Sequence, residues 1–239
     1  MDFCDIDSDK FQQYANKTSN PLLKHLYSLE CKRLRKYEEK IYDCFDYSIV
    51  ISKAELELFN TTRPHPKTEV VSNGIDIDYF CPAPTQRTQS IVFTGEMNHP
   101  ANVDAIEWFC NSTFSLIVEK FPQLQFNIVG RNPSKKIKII EKSFPKNVRV
   151  TGYVEDTRMY TRQALLAVIP IRIARGVQNK VLESMAVGTP VVISRNLFNS
   201  LDALTLKDGF IYDNPNELES IILRCLKNPA PLTATQKLS

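Results

Sequence analysis

Glycine is scarce in this chain of 239 residues, with only seven, and there is neither a GxGxxG nor a GxxxxGK[ST] run. A dinucleotide fingerprint and a P-loop are therefore both unsupported. The six cysteines (Cys4, Cys31, Cys44, Cys81, Cys110, Cys225) include no CxxC pair, and His25, His65 and His99 lie far from one another. That scatter excludes a zinc-finger or ribbon pattern and argues for reduced thiols in a cytosolic compartment. No run approaches the ~18 apolar residues of a membrane-spanning helix. Residues 1–20 carry Asp2, Asp5, Asp7 and Asp9 and no apolar stretch, so no signal peptide is expected there. A field of one sign is missing as well: 30 Lys and Arg against 27 Asp and Glu leave a net charge of +3, so nucleic acid is not an expected partner. What is present, 43% hydrophobic and 24% charged, is the balance of a soluble globular protein with length for one to two domains.

From Pro21 to Asp46 apolar residues recur at helical spacing (Leu22, Leu26, Leu29, Leu34, Tyr37, Ile41, Phe45), which predicts one long amphipathic helix. Its polar face holds Lys24, Lys32, Arg33, Arg35, Lys36 and Lys40, diluted by Glu30, Glu38 and Glu39. Such a face is either simply solvated or in contact with an anionic membrane surface. A strand at 47–52, a helix opened by Ser52 as N-cap with Glu55 at N3, a strand at 68–72 and an Asn73-Gly74 turn follow. Residues 76–89, with Pro82 and Pro84, read as a linker.

Beyond it the pattern is regular: strands at 90–94, 125–130, 147–152, 164–170, 189–194 and 209–212 alternate with helices at 102–120, 133–142, 156–162, 177–187 and 214–227. Continuous β-branched runs between helices predict an α/β domain with a parallel sheet covered on both faces. Residues 1–75 offer two convincing strands at most, too few for a sheet of their own. They are either the tail of another α/β domain or an appendage on the second one.

Ligands of open α/β sheets sit at the carboxyl ends of strands. Those ends read Thr94-Gly95-Glu96, Gly130-Arg131-Asn132, Thr151-Gly152-Tyr153 and Pro170-Ile171-Arg172. Each glycine marks either a binding rim or merely a tight turn. The sharpest stretch is 169–194, where a basic loop with Arg172 and Arg175 leads through Gly176 and Val177 into a helix bearing Lys180 and Glu183. Free amides at a helix start attract phosphate, and Arg175 and Lys180 add full charges. Lys180 and Glu183 share one helix face, either as a surface ion pair or with the carboxylate offered to paired hydroxyls such as those of a ribose.

The segments NKVLESMAVGTPVV, VVSNGIDIDYFCP and TGYVED resemble motifs of the family 4 (group 1) glycosyltransferases of GT-B fold. Two more, DFCDIDSDKFQQYA and IARGVQNKVLE, look most like the sugar transferases of PEP-CTERM/exosortase-associated exopolysaccharide systems. The resemblance implies a remnant of the acceptor-side amino-terminal domain at 1–75, a linker at 76–89 and a Rossmann-like nucleotide-sugar-binding domain at 90–239. It implies retaining transfer of a sugar from a nucleotide-sugar donor to a glycan or lipid-linked acceptor in polysaccharide biosynthesis, with no cofactor and no metal. By that resemblance Glu183 holds the ribose hydroxyls, while Arg175 stands where the family has its first glutamate. Arg175 and Lys180 are then expected to neutralise the diphosphate as the catalytic pair. Gly95, Gly130, Arg131, Gly152, Tyr153, Gly176 and Val177 are expected to line the donor. A cytoplasmic location is expected, with peripheral contact at the inner membrane face as a further option. Two alternatives stay open: a catalytically silent module or half of a split enzyme completed by a separate amino-terminal half, and a nucleotide-sugar epimerase of the same fold.

Overall fold

The computed structural model describes residues 1–3, 6–61, 64–172, 178–199, 201 and 210–228. The chain divides into two compact units, the first built on Met1–Gly74 and the second on Ile75–Arg172, Asn179–Phe198 and the last strand and helix.

In the first unit, β1 (Asp2–Phe3), β2 (Ser48–Val50) and β3 (Thr68–Val70) form a parallel sheet in the order β1-β2-β3. The two-residue β1 was not anticipated, because nothing in its composition marks it as a strand. Helices α1 (Asp7–Lys17), α2 (Pro21–Asp43) and α3 (Lys53–Phe59) accompany the sheet. Asn20 caps α2 ahead of Pro21, and the Ser52 hydroxyl caps α3 by accepting from the Glu55 amide, as its sequence predicts. Glu55 also serves the start of α1. Its carboxylate is buried and accepts from the Ile6 amide at 2.9 Å, while buried Glu38 accepts from the Ser8 amide at 2.8 Å. Two glutamates thus terminate backbone donors around the start of α1, where an unpaired buried amide costs ~1–3 kcal/mol. Phe3, Ile6, Tyr42, Val50 and Phe59 make the core, with buried His65 stacked on Phe59 at 4.0 Å.

Helix α2 departs from its expected orientation. Cys31, Glu38 and Tyr42 are buried and Ile41 of the apolar repeat packs on the core, whereas Leu22, Leu26, Leu29 and Tyr37 of that repeat are exposed.

The second unit is a parallel six-stranded sheet of β4 (Ser90–Thr94), β5 (Gln125–Val129), β6 (Val148–Val150), β7 (Leu166–Ile169), β8 (Val191–Ser194) and β9 (Ile211–Tyr212), in the order β6-β5-β4-β7-β8-β9. Successive strands run outward from β4 in one direction and from β7 in the other, so the order reverses between these two central strands. The connecting helices are α4 (Pro100–Phe109), α5 (Ser115–Lys120), α6 (Lys135–Ser143), α7 (Arg158–Gln163), α8 (Asn179–Ala186), α9 (Arg195–Asn199) and α10 (Pro215–Lys227). The single helix predicted over 102–120 is interrupted by a π-helical turn, Cys110–Phe114, where the Ser112 hydroxyl donates to the Trp108 carbonyl at 2.7 Å. Phe109, Phe114 and Phe126 pack beneath it with ring centroids 5.3–5.7 Å apart.

The stretch 76–89 is fastened to this unit by arginines. The Arg87 guanidinium donates to the carbonyls of Leu165 at 3.3 Å and Gly188 at 2.6 Å. Arg162 donates to the Cys81 carbonyl at 2.6 Å, and the Arg158 guanidinium lies 3.6 Å from the centre of the Tyr79 ring.

Candidate functional site

The strand order reverses between β4 and β7, and the carboxyl ends of the strands at such a reversal are where open α/β sheets bind ligands. Three segments of the second unit meet there. After β4 the chain turns through Gly95, Glu96 and Met97 into α4, after β5 it turns through Gly130, Arg131 and Asn132, and α8 brings Lys180.

The first two loops are locked backbone to backbone. The Gly95 amide donates to the Val129 carbonyl at 3.0 Å, the Met97 amide to the Arg131 carbonyl at 2.9 Å, and the Ser134 amide to the Met97 carbonyl at 3.2 Å. Gly95 and Gly130 both sit at φ +151°, and a Cβ on Gly130 would fall 1.6 Å from the Gly95 carbonyl oxygen. The need for glycine here is thus steric as well as conformational. Glu96 holds the second loop from the other side, accepting from Asn132 at 2.9 Å and Arg131 at 3.3 Å. Those hydrogen bonds, Asn132 first, hold its carboxyl below the usual range.

Lys180 reaches across to this pair of loops. Its ammonium donates to the Asn102 side-chain oxygen at 2.7 Å and lies 4.3 Å from the centre of the Phe93 ring. Asn102, in the first turn of α4, donates in turn to the Glu96 carbonyl at 2.9 Å. A Cβ on Gly95 would lie 2.9 Å from the Asn102 side-chain nitrogen and 3.1 Å from the Lys180 ammonium, so the bare glycine leaves room beside both. Burial pushes Lys180 down to about 7, against the opposing charge of Glu183. Burial pushes Glu183 up, against the charge of Lys180. The lysine hydrogen-bonds Asn102 rather than Glu183, so the surface ion pair expected as one option is not formed. Glu183 follows Lys180 about one turn further on α8.

Gly95, Gly130 and Lys180 are therefore brought together, and Arg131 joins them through Glu96. Gly152 and Tyr153 follow β6 at the sheet edge, and Tyr153 is 75% exposed. Arg175, Gly176 and Val177 lie outside the described residues. Arg172, read as part of the same basic loop, is instead paired with both carboxylate oxygens of Asp104. Asn102 was missed by sequence reasoning. Among the described residues no group of three His, Cys, Asp or Glu side chains gathers as a metal site.

A doubly wound parallel sheet with this switch point between its central strands has the architecture of the carboxyl-terminal domain of GT-B glycosyltransferases. Residues 88–228 match the family described as glycosyl transferases group 1, and the chain belongs to that family. Among solved structures, a TarM mutant from S. aureus crystallised with fondaparinux, α-GlcNAc-glycerol and UDP aligns with a TM-score of 0.71 at 19% identity, over 85% of this chain and 41% of its own. Sucrose-phosphate synthase from Thermosynechococcus elongatus aligns with a TM-score of 0.64 at 19% identity, over 84% of this chain and 54% of its own. HepE from Anabaena, in complex with UDP and glucose, aligns with a TM-score of 0.64 at 16% identity, over 90% of this chain and 67% of its own. The likeness at these identities is one of fold, and the chain spans only 41% of the TarM chain. No curated protein matches the chain by sequence.

Proposed function

We propose that this chain carries the donor side of a retaining glycosyltransferase, which moves a sugar from a nucleotide diphosphate to a glycan or lipid-linked acceptor in exopolysaccharide biosynthesis. The observation that carries the reading is the convergence of Lys180, Asn102 and Gly95 at the β4/β7 switch point. A cation aimed by an asparagine into a crevice whose floor lacks a Cβ suits a diphosphate that must come close to backbone. As the bond from the sugar to phosphate breaks, the electron pair leaves with the diphosphate. Lys180, together with Arg175, would stabilise that charge without a metal. Glu183, one turn beyond Lys180, would accept hydrogen bonds from the ribose hydroxyls. Arg131, Gly152 and Tyr153 would line the side of the base, and Gly176 and Val177 the start of the phosphate-facing helix. The acceptor side belongs to residues 1–75 on this reading, as the remnant of an amino-terminal domain, with 76–89 as the connection.

UDP, present in the TarM and HepE crystals, is the first nucleotide to try. Calorimetric titration of the chain with UDP and with UDP-glucose tests the reading: binding to both is expected, with a loss of at least tenfold in Lys180→Met. Unchanged affinity in that variant would remove Lys180 from the diphosphate. Slow release of free sugar from the bound donor separates an enzyme from a silent module, and an isomerised nucleotide sugar would identify an epimerase.

A further inference from the structure

The outward face of α2 is the most unusual surface among the described residues of the first unit. Its inward face is fully occupied: Cys31, Glu38 and Tyr42 are buried, and Tyr27 meets Phe11 and Tyr14 of α1 at ring distances of 6.0 and 5.7 Å. On the opposite side Leu22, Leu26 and Leu29, spaced to form one stripe, are 69%, 50% and 45% exposed. Lys32, Arg33, Lys36 and Lys40 continue that stripe toward the end of the helix, all exposed, with Tyr37 beside them.

Two of the acids that offset these cations in the sequence are turned away from this surface. Glu38 points inward to the Ser8 amide, and Glu39 lies 3.2 Å from the ring nitrogen of buried His65. Glu30 remains, 3.5 Å from Arg33, and Asp43 is exposed in the last turn. An exposed face of leucines at one end and cations at the other, with Lys32, Arg33, Lys36 and Lys40 against Glu30 and Asp43, matches helices that lie in a lipid interface. Their leucines enter the acyl boundary, and long cationic side chains reach the headgroups by their stems.

We propose that α2 docks this protein in the plane of an anionic phospholipid surface. Charge complementarity selects that occupant. A second copy meeting this face across a twofold axis would set the cations against one another if the helices ran parallel, or against leucines if antiparallel, with most of them left without a carboxylate. The proposal stands apart from the donor-site reading, because no residue of α2 takes part in it.

The test is flotation of the full chain with vesicles of phosphatidylcholine alone and of phosphatidylcholine containing about one third phosphatidylglycerol, a mixture rich enough in anionic lipid to attract basic segments. Binding to the mixed vesicles, at least tenfold stronger than to the neutral ones and weakening with added salt, is expected. The triple variant Lys32→Gln, Lys36→Gln, Lys40→Gln should lose roughly 100-fold in partitioning, from the gain of each cation at such a surface. Leu22→Ser with Leu26→Ser should abolish binding with at most a small drop in thermal stability, since both side chains are at least half exposed. Failure of the native chain to float with mixed vesicles, or equal binding to neutral ones, overturns the proposal. So does a concentration-dependent dimer in sedimentation that the leucine variant loses without any vesicle binding by the native chain.

Discussion

Lys180 gives the donor reading a pH signature. Burial holds its ammonium down to about 7, whereas a lysine beside a bound diphosphate returns to its ordinary range or above. Below pH 7 the ligand meets a lysine already charged, and affinity is flat. Above pH 7 the free protein must take up a proton to bind, so affinity falls by up to about tenfold per pH unit, about 30-fold between pH 6 and 8.5. UDP-glucose is the right ligand, because its diphosphate, esterified at both ends, does not titrate in this window. Calorimetry at pH 8.5 in two buffers of different ionisation heat should report close to one proton taken up per ligand. The Lys180→Arg variant, charged throughout, should bind with a flat profile and no uptake. Tight binding with a flat profile in the native chain would refute the assignment. The same group sets the stability of the unliganded protein. Its folded value lies below its unfolded one, so the unfolded chain holds more protons between about pH 7 and 10.5, and stability rises with pH across that window.

Three further substitutions test the parts that position this lysine and the first unit. Gly130→Ala puts a methyl group against the Gly95 carbonyl and should cost roughly 3 kcal/mol or more in urea unfolding, with loss of nucleotide binding. Asn102→Leu removes the acceptor of the Lys180 ammonium, a bond of ~1.5–3 kcal/mol to a charged group, and should move the pH midpoint of binding down by about one to two units. Ser52→Ala removes the cap of α3 and should lower stability by ~1 kcal/mol in the same unfolding assay, without affecting the nucleotide.

The second unit was legible because its strands are continuous β-branched runs and its turns carry glycine, and Gly95 and Gly130 fall where that pattern places them. Lys180 was legible as a charge near the start of a helix. Asn102 was not, because an uncharged side chain acquires a role only when the first turns of α4 and α8 are brought together, a pairing of segments far apart in the chain. Helix α2 misled in an instructive way. Periodicity locates an apolar stripe but not what covers it, and here the interior took a glutamate, drawn in by the Ser8 amide, in preference to three leucines. The π-helical turn escaped notice for a similar reason, since a serine hydroxyl bonding to a carbonyl one turn back leaves no mark on hydrophobic spacing.

The family match begins at residue 88, immediately after Arg87. That arginine is half-buried, its guanidinium eased downward in pKa by burial, and it closes over carbonyls at the start of β7 and in the turn after α8. Likeness among relatives and physical integrity therefore draw the border in different places. A second unit trimmed to the recognisable family segment would lose the Arg87 donors to the Leu165 and Gly188 carbonyls, whereas one cut before Ile75 keeps the clamp. For anyone separating the two units, the proline-bearing stretch belongs with the six-stranded sheet.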